Sequence, residues 1–303
     1  MTEKIKFGRV VIMGRPNTGK STLLNALMQQ KVSITSHLPQ TTRKVSRVVY
    51  KDSTGVIIFS DTPGVIGKVS DLVGKQINIE APKESSLADI MIMVVDVSRP
   101  KNEEENKALG IIRKTKAKKI LVYNKIDKVE DGIDHKPEYL YLEDEFDKAI
   151  SISAIKEKHI KGLINLIWEL LPEVDQKSVD EELKGFGNET KPLIGMDSKE
   201  FVSEIIREKA YLFLRDEIPY SIQVKVESIK SKGTMLVVKA DILCREDRYK
   251  KIIIGREGQK IKEIGYNARK ELELMSQKKV FLELEVKTDK HWMERFKENY
   301  DIN

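Results

Sequence analysis

The chain has 303 residues, 34% of them charged and 6% aromatic, with a net charge of +6. That length suffices for two domains, each with its own core, and the charge excess admits a polyanionic partner where it is clustered. A lone cysteine, Cys244, excludes an internal disulfide and points to a reducing compartment. No apolar run is long enough to span a bilayer, and Met1 to Phe7 lacks the apolar region of a signal peptide, so a cytoplasmic location is expected.

The first apolar run, Val10-Val-Ile-Met13, predicts a buried strand. Ser21 to Leu27 predicts a helix with Leu23, Leu24 and Leu27 on one face. Between them stands Gly14-Arg-Pro-Asn-Thr-Gly-Lys-Ser21, which fits the phosphate-cradling pattern G-x-x-x-x-G-K-[ST] in the strand–loop–helix context that pattern requires. Without a side chain, Gly19 lets backbone N–H groups close around phosphate oxygens at a helix N-terminus that already favours negative charge. Asn17, Thr18, Gly19, Lys20, Ser21 and Thr22 are the candidate phosphate-binding residues. Lys20 would reach the β- and γ-phosphates, and the Ser21 hydroxyl would bind Mg²⁺.

Strand and helix signals then alternate. A strand pair is expected around Val45–Lys51 and Val56–Ser60, a buried strand at Ile90–Val95 and a helix at Glu103–Lys114. Further strands are expected at Lys119–Tyr123 and Ala149–Ile152, and a closing helix at Leu163–Leu171. This pattern predicts an α/β domain whose mainly parallel sheet is wrapped by helices, with ligands at the carboxyl ends of the strands. Asp61-Thr-Pro-Gly64 follows one such strand: Asp61 could hold Mg²⁺ through a water, and the Gly64 N–H could touch the γ-phosphate. Asn124-Lys-Ile-Asp127 follows another. The Asp127 carboxylate can accept two hydrogen bonds from the N1–H and N2–H₂ edge of guanine, a pair adenine cannot supply. The Lys125 stem can cover the base. At Ser153-Ala-Ile155 the Ala154 N–H could donate to guanine O6. Thr42, or less readily Thr41, could complete the metal coordination and tie its loop to the γ-phosphate; the alternative, a solvated loop threonine, weighs more for Thr41 than for Thr42.

Taken together, these motifs resemble the guanine-nucleotide-binding domain of the Ras-like superfamily. The resemblance implies a GTPase in which Lys20, Thr42 and Gly64 stabilise phosphoryl transfer and Ser21, Thr42 and Asp61 hold Mg²⁺. Val65 stands where signalling GTPases carry the glutamine that orients the attacking water. Slow intrinsic turnover is therefore expected, raised by a partner, a rearranged loop or a monovalent cation. Asn17 is the candidate K⁺ ligand, because the potassium-using subgroup has asparagine there; it serves equally as a cap of the loop backbone.

Pro172 closes this domain, expected over 1–172, and residues 173–197 lose apolar periodicity and collect glycines among charges, which reads as a linker. A second domain is expected over 198–303. Val202, Ile205, Ile206, Ala210 and Phe213 recur at helical spacing, and two alternating strands follow, Ile222–Val226 and Leu236–Cys244, with Cys244 facing the core. Ile252-Ile-Ile-Gly-Arg-Glu-Gly258 leads into a helix with Ile261, Ile264, Ala268 and Leu272 inward, and a strand with Val280, Leu282, Leu284 and Val286 on one face closes the pattern. Trp292 and Phe296, four apart, predict a short helix packed on the domain.

Helix, two strands, helix, G-x-x-G, helix, strand resembles a KH domain of the bacterial type, a smaller α+β fold. The loop Gly255, Arg256, Glu257, Gly258 would let a phosphodiester backbone approach, and Lys250, Lys251, Arg256, Lys260 and Lys262 would offset its charge. Bases would lie in a groove lined by Ile254, Ile261 and the adjacent strand. The bland alternative is a solvated lysine face. Over nearly its whole length the chain resembles the bacterial Era GTPase family, through Gly14 to Thr22, Gln40-Thr-Thr-Arg43, Asp61 to Gly64, Asn124 to Asp127, Glu204-Ile-Ile-Arg-Glu-Lys209 and Ile252 to Gly255. The linker and tail depart from that pattern. The resemblance implies a GTPase that binds single-stranded ribosomal RNA, the 3′ end of 16S, under control of its nucleotide state, and assists small-subunit maturation. A monomer with peripheral contact to the inner face of the cell membrane is also expected. A signalling switch whose second domain binds protein, or a membrane-surface GTPase, are the other readings.

Overall fold

The computed structural model describes residues 4–33, 46–62, 82–129, 132, 134–184, 198–215 and 217–292. These divide into two compact units, 4–184 and 198–292. In the first, β1 (Lys4–Met13), β2 (Ser46–Lys51), β3 (Gly55–Asp61), β4 (Ile90–Asp96), β5 (Lys118–Asn124) and β6 (Lys148–Ser151) form a sheet in the order β2-β3-β1-β4-β5-β6. β2 runs antiparallel to β3, and the other neighbours along this path are parallel. Gly-Val-Ile-Ile-Phe-Ser-Asp of β3 and Ile-Met-Ile-Met-Val-Val-Asp of β4 are buried throughout, as strands covered on both faces must be.

The covering helices are α1 (Lys20–Met28), α2 (Glu103–Arg113) and α3 (Ile160–Leu170). Leu23, Leu24, Leu163 and Ile167 of α1 and α3 meet Val10, Ile12 and Ile92 on one face. Ala108, Leu109 and Ile112 of α2 meet Met91, Met93 and Leu121 on the other. The start of α2 is fixed by reciprocal caps: Asn102 Oδ1 accepts from the Glu104 N–H at 2.9 Å, and Glu105 Oε2 accepts from the Asn102 N–H at 2.8 Å. Glu103, Glu104 and Glu105 sit at the positive end of the helix dipole.

Residues 173–184 differ from the linker reading. β7 (Glu173–Asp175) pairs antiparallel with β1 at Lys4 to Lys6, and α4 (Gln176–Leu183) sets Val179 and Leu183 against Val49, Val56 and Ile58. The first unit thus runs past residue 172. A strand of 3 residues and a helix of 8 are too short to declare a period in the sequence. Residues 185–197 lie outside the described residues.

The second unit has the expected element order: α5 (Ser198–Phe213), β8 (Ile222–Lys232), β9 (Met235–Cys244), α6 (Asp247–Ile254), α7 (Gln259–Ser276) and β10 (Lys279–Thr288). Its sheet runs β10-β9-β8, with β8 antiparallel and β10 parallel to β9. Val224, Val226, Val238, Ala240, Val280 and Val286 are buried on the helix side, and so is Cys244. The stretch Glu204 to Lys209 proves to be a buried charge network. Arg207 Nε donates to Glu204 Oε1 at 2.9 Å, and Lys209 pairs with Glu208 at 3.3 Å and with Glu271 of α7. Trp292 is buried, and Phe296 lies outside the described residues.

Candidate functional site

Because β1, β3, β4, β5 and β6 are parallel, the loops that follow them leave the same end of the sheet. The loop after β1 winds tightly there. Gly19 has φ 93°, and a Cβ on it would stand 2.4 Å from Asn124 Nδ2, so both backbone and space require glycine. Lys20 is buried, and its Nζ donates back across the loop to Gly14 O at 3.1 Å and Arg15 O at 2.8 Å. Burial pushes its pKa down to about 8, against the pull of Asp61. An anion inside this ring would favour the charged form.

Ser21 Oγ and Ser33 Oγ donate to Asp61 Oδ2 at 2.7 and 2.8 Å, while the buried Asp61 Oδ1 has no hydrogen-bond partner among the described residues. Burial pushes this carboxyl up, against those two hydrogen bonds. An orphaned carboxylate oxygen beside a serine hydroxyl is a hard oxygen set that suits Mg²⁺, so Ser21 and Asp61 fit the metal role. Thr18 is buried, with its Oγ1 donating to Arg15 O at 3.1 Å, and Thr22 is half-buried. Thr41, Thr42, Gly64 and Val65 lie outside the described residues.

The residues expected to recognise the base are tied to the phosphate loop. Asn124 Nδ2 donates to Thr18 O at 2.8 Å, and its Oδ1 accepts from the Ala154 N–H at 3.0 Å. That N–H, expected to meet guanine O6, is here committed to Asn124. Lys125 Nζ donates to Asn17 O at 2.8 Å and to Asp96 Oδ2 at 2.7 Å. Asp127 Oδ1 accepts from Ser153 Oγ, and Ile155 is exposed. Sequence reading missed Asp96, the last residue of β4. Burial opposes its charge, yet hydrogen bonds from Lys125 and Ser98 outweigh burial and hold it below the usual carboxylate range. It also pairs with Arg99 at 2.8 Å, and Arg99 Nη2 donates to Pro16 O at 2.7 Å. The only sequence signal was an aspartate at a strand's carboxyl end.

In the second unit, α6 ends at Gly255, with φ 74° and ψ 175°, and Glu257 and Gly258 have φ 52° and 74°. A Cβ on Gly255 would stand 3.1 Å from Lys260 N. Among the described residues α7 starts at this loop with no side-chain cap on its first amides. Arg256, Glu257, Lys251 and Lys262 are exposed, and Lys250, Ile254 and Lys260 are half-buried. Beyond the loop, Ile261, Lys262, Gly265, Tyr266, Arg269, Leu282 and Leu284 line an open groove of about 330 Å³. Tyr266 is 49% exposed, with Lys270 Nζ 4.6 Å from its ring centre. Tyr266 and Arg269 escaped sequence reading because an aromatic–cation pair at helical spacing looks like any solvated helix face.

Residues 9–125 match the family described as 50S ribosome-binding GTPase, and 217–293 match the KH domain. GTPase Era of Thermoanaerobacter sp. (strain X514) is 36% identical over 290 residues, covering 95% of this chain and 92% of that protein. The chain belongs to the GTPase Era family. Era of Clostridioides difficile (strain 630) is 34% identical over 305 residues, covering 98% and 99% of the two chains. The crystal structure of Era in complex with MgGDPNP and nucleotides 1506–1542 of 16S ribosomal RNA aligns with TM-score 0.85 at 34% identity over 96% of each chain. An Aquifex aeolicus Era variant bound to GDP·AlF4⁻ aligns at 0.83, also 34% identical. The present Era-family chain is a GTP hydrolase with a P-loop domain and a C-terminal KH domain, and guanine nucleotide with Mg²⁺ is the ligand class of its first unit.

Proposed function

We propose that this GTPase captures the single-stranded 3′ end of 16S ribosomal RNA in its KH groove, under control of its nucleotide, and so assists maturation of the small ribosomal subunit. One observation carries the reading: a phosphate cradle around Lys20 and a glycine loop beside an apolar, cation-rimmed groove occur in one chain. The solved Era that holds both MgGDPNP and a 16S segment supports it.

In this reading Asn17 to Thr22 enclose the phosphates. Lys20, Thr42 and Gly64 stabilise the charge that develops at the transferred phosphoryl group. Ser21, Thr42 and Asp61 hold Mg²⁺, which neutralises phosphate oxygens when bound. Asn124 to Asp127 and Ser153 to Ile155 enclose the base. Val65 offers nothing to orient water, so a K⁺ held by Asn17 accelerates turnover; equal GTPase rates in KCl and NaCl would remove that role. Gly255 to Gly258 take the RNA backbone, with Lys250, Lys251, Lys260 and Lys262 around them and bases against Ile261, Leu282 and Leu284. The proposal takes the chain as a cytoplasmic monomer; among the described residues no helix is long and apolar enough to cross a membrane.

The test is a titration, at stated salt, of labelled RNA matching the 16S 3′ end against a shuffled sequence, with GDP and with a non-hydrolysable GTP analogue. Selective binding that tightens with the analogue is expected. Equal, nucleotide-indifferent binding to both RNAs would overturn the reading.

A further inference from the structure

β10 is an edge strand, and its side chains alternate between two faces. Leu282 and Leu284 point into the groove against α7. Phe281 belongs to the opposite face and is 55% exposed. The strand register lays two neighbouring rows across that face: Lys232, Met235 and Lys279, then Lys230, Val237 and Phe281. Met235 is 40% exposed, and the three lysines are exposed.

The rows that follow have a different chemistry. There Lys239 pairs with Glu283 at 2.7 Å, Lys287 with Asp241 at 2.7 Å and Lys225 with Glu227 at 2.8 Å. Among the described residues, no acidic side chain pairs with Lys230, Lys232 or Lys279. Lys278, at the same end of the sheet, donates to Ser231 Oγ at 3.3 Å. One end of the sheet face therefore carries Met235, Val237 and Phe281 flanked by Lys230, Lys232 and Lys279, whose charge no acidic side chain among the described residues offsets.

An exposed aromatic ring suits a nucleobase, whose faces stack, and lysines without acidic partners suit the phosphates on either side of it. A KH groove takes about four nucleotides. A longer strand has to leave the groove, and because β10 is an edge strand it reaches Phe281 by rounding that single strand.

We propose that this outer sheet face is a second contact for single-stranded RNA, with a base stacked on Phe281 beside Val237 and Met235 and the flanking phosphates on Lys230, Lys232 and Lys279. It rests on the groove reading only for where the strand comes from.

The experiment uses the full chain with the GTP analogue and two labelled, unstructured RNAs, a 5-mer and a 20-mer. The variants are Phe281→Ala, Phe281→Trp and the triple Lys230→Gln, Lys232→Gln, Lys279→Gln, all at exposed positions, with unchanged circular dichroism as the folding check. The 5-mer should bind wild type and variants alike. The 20-mer should lose roughly fivefold or more in Phe281→Ala and keep its affinity in Phe281→Trp. In the triple variant its log–log salt slope should fall by about 2, for three phosphates released. Unchanged 20-mer affinity and slope in all variants would overturn the proposal. So would variants that keep RNA binding and instead lose binding to anionic phospholipid vesicles. If the 5-mer fails to bind wild type while the 20-mer still needs Phe281, the groove reading fails and this contact stands.

Discussion

Lys20 pays for its central position in proton affinity. Its folded pKa, about 8, lies below the ordinary 10.5. Below pH 8 both folded and unfolded chains hold the proton, and the folded one bears the cost of a buried charge. Between about 8 and 10.5 the unfolded chain holds more protons, so stability of the nucleotide-free protein rises with pH in that window. Nucleotide binding runs the other way, since bound phosphates need the ammonium. GTP affinity should fall roughly tenfold between pH 8 and 9.5 with uptake of about one proton, which calorimetry in buffers of different ionisation enthalpy would show. A pH-independent affinity would remove Lys20 from the phosphates. Asp127 allows a second test at this scale. Asp127→Asn should weaken GTP roughly a hundredfold and favour xanthosine triphosphate, read by competition for a fluorescent guanine nucleotide. Gly19 and Lys20, and Asn124 and Asp127, could be picked out in the sequence as candidates because spacing within each loop is local. Asp96, Arg99 and the use of the Ala154 N–H by Asn124 were not, because each depends on which strand ends meet.

Among the elements, strands β3, β4 and β5 could be read from apolar runs, since a sheet covered on both faces writes its burial directly into composition. β7 and α4 could not: their burial comes from β1 and from Val49, Val56 and Ile58, more than a hundred residues away. Val179→Ala in α4 should cost roughly 2 kcal/mol, a cost a linker residue would not carry, measurable as a lower urea midpoint. The Glu204 to Lys209 stretch was legible as a family feature but not as a device. Lys209 joins α5 to α7 through Glu271, and both side chains are largely buried. Lys209→Ala removes the ammonium held between the Glu208 and Glu271 carboxylates and should cost about 3 kcal/mol. Adding Glu271→Gln should recover part of the loss. Additive losses in the double variant would show that the pair does not hold the helices together.

For the whole molecule, the proposed function requires a change at a phosphate to be felt at the KH groove. Aspartates at Gly255 and Gly258 should abolish 5-mer RNA binding while leaving GTP affinity unchanged, because the substitutions strain and charge only the second unit's loop. Loss of both activities would mean the substitutions unfold the chain. Separating the units in this way needs a signal confined to one of them, and the protein contains one. Cys244 is the single thiol, buried in the sheet of the RNA-binding unit, and burial pushes its pKa up. A thiol reagent can reach it only when that unit opens. Its rate of modification is thus a clock for one half of the molecule, requiring no engineered label. RNA at a hundred times its dissociation constant should slow that clock about a hundredfold, and whatever guanine nucleotide does to the same rate measures, in seconds, how much of one unit's state the other feels.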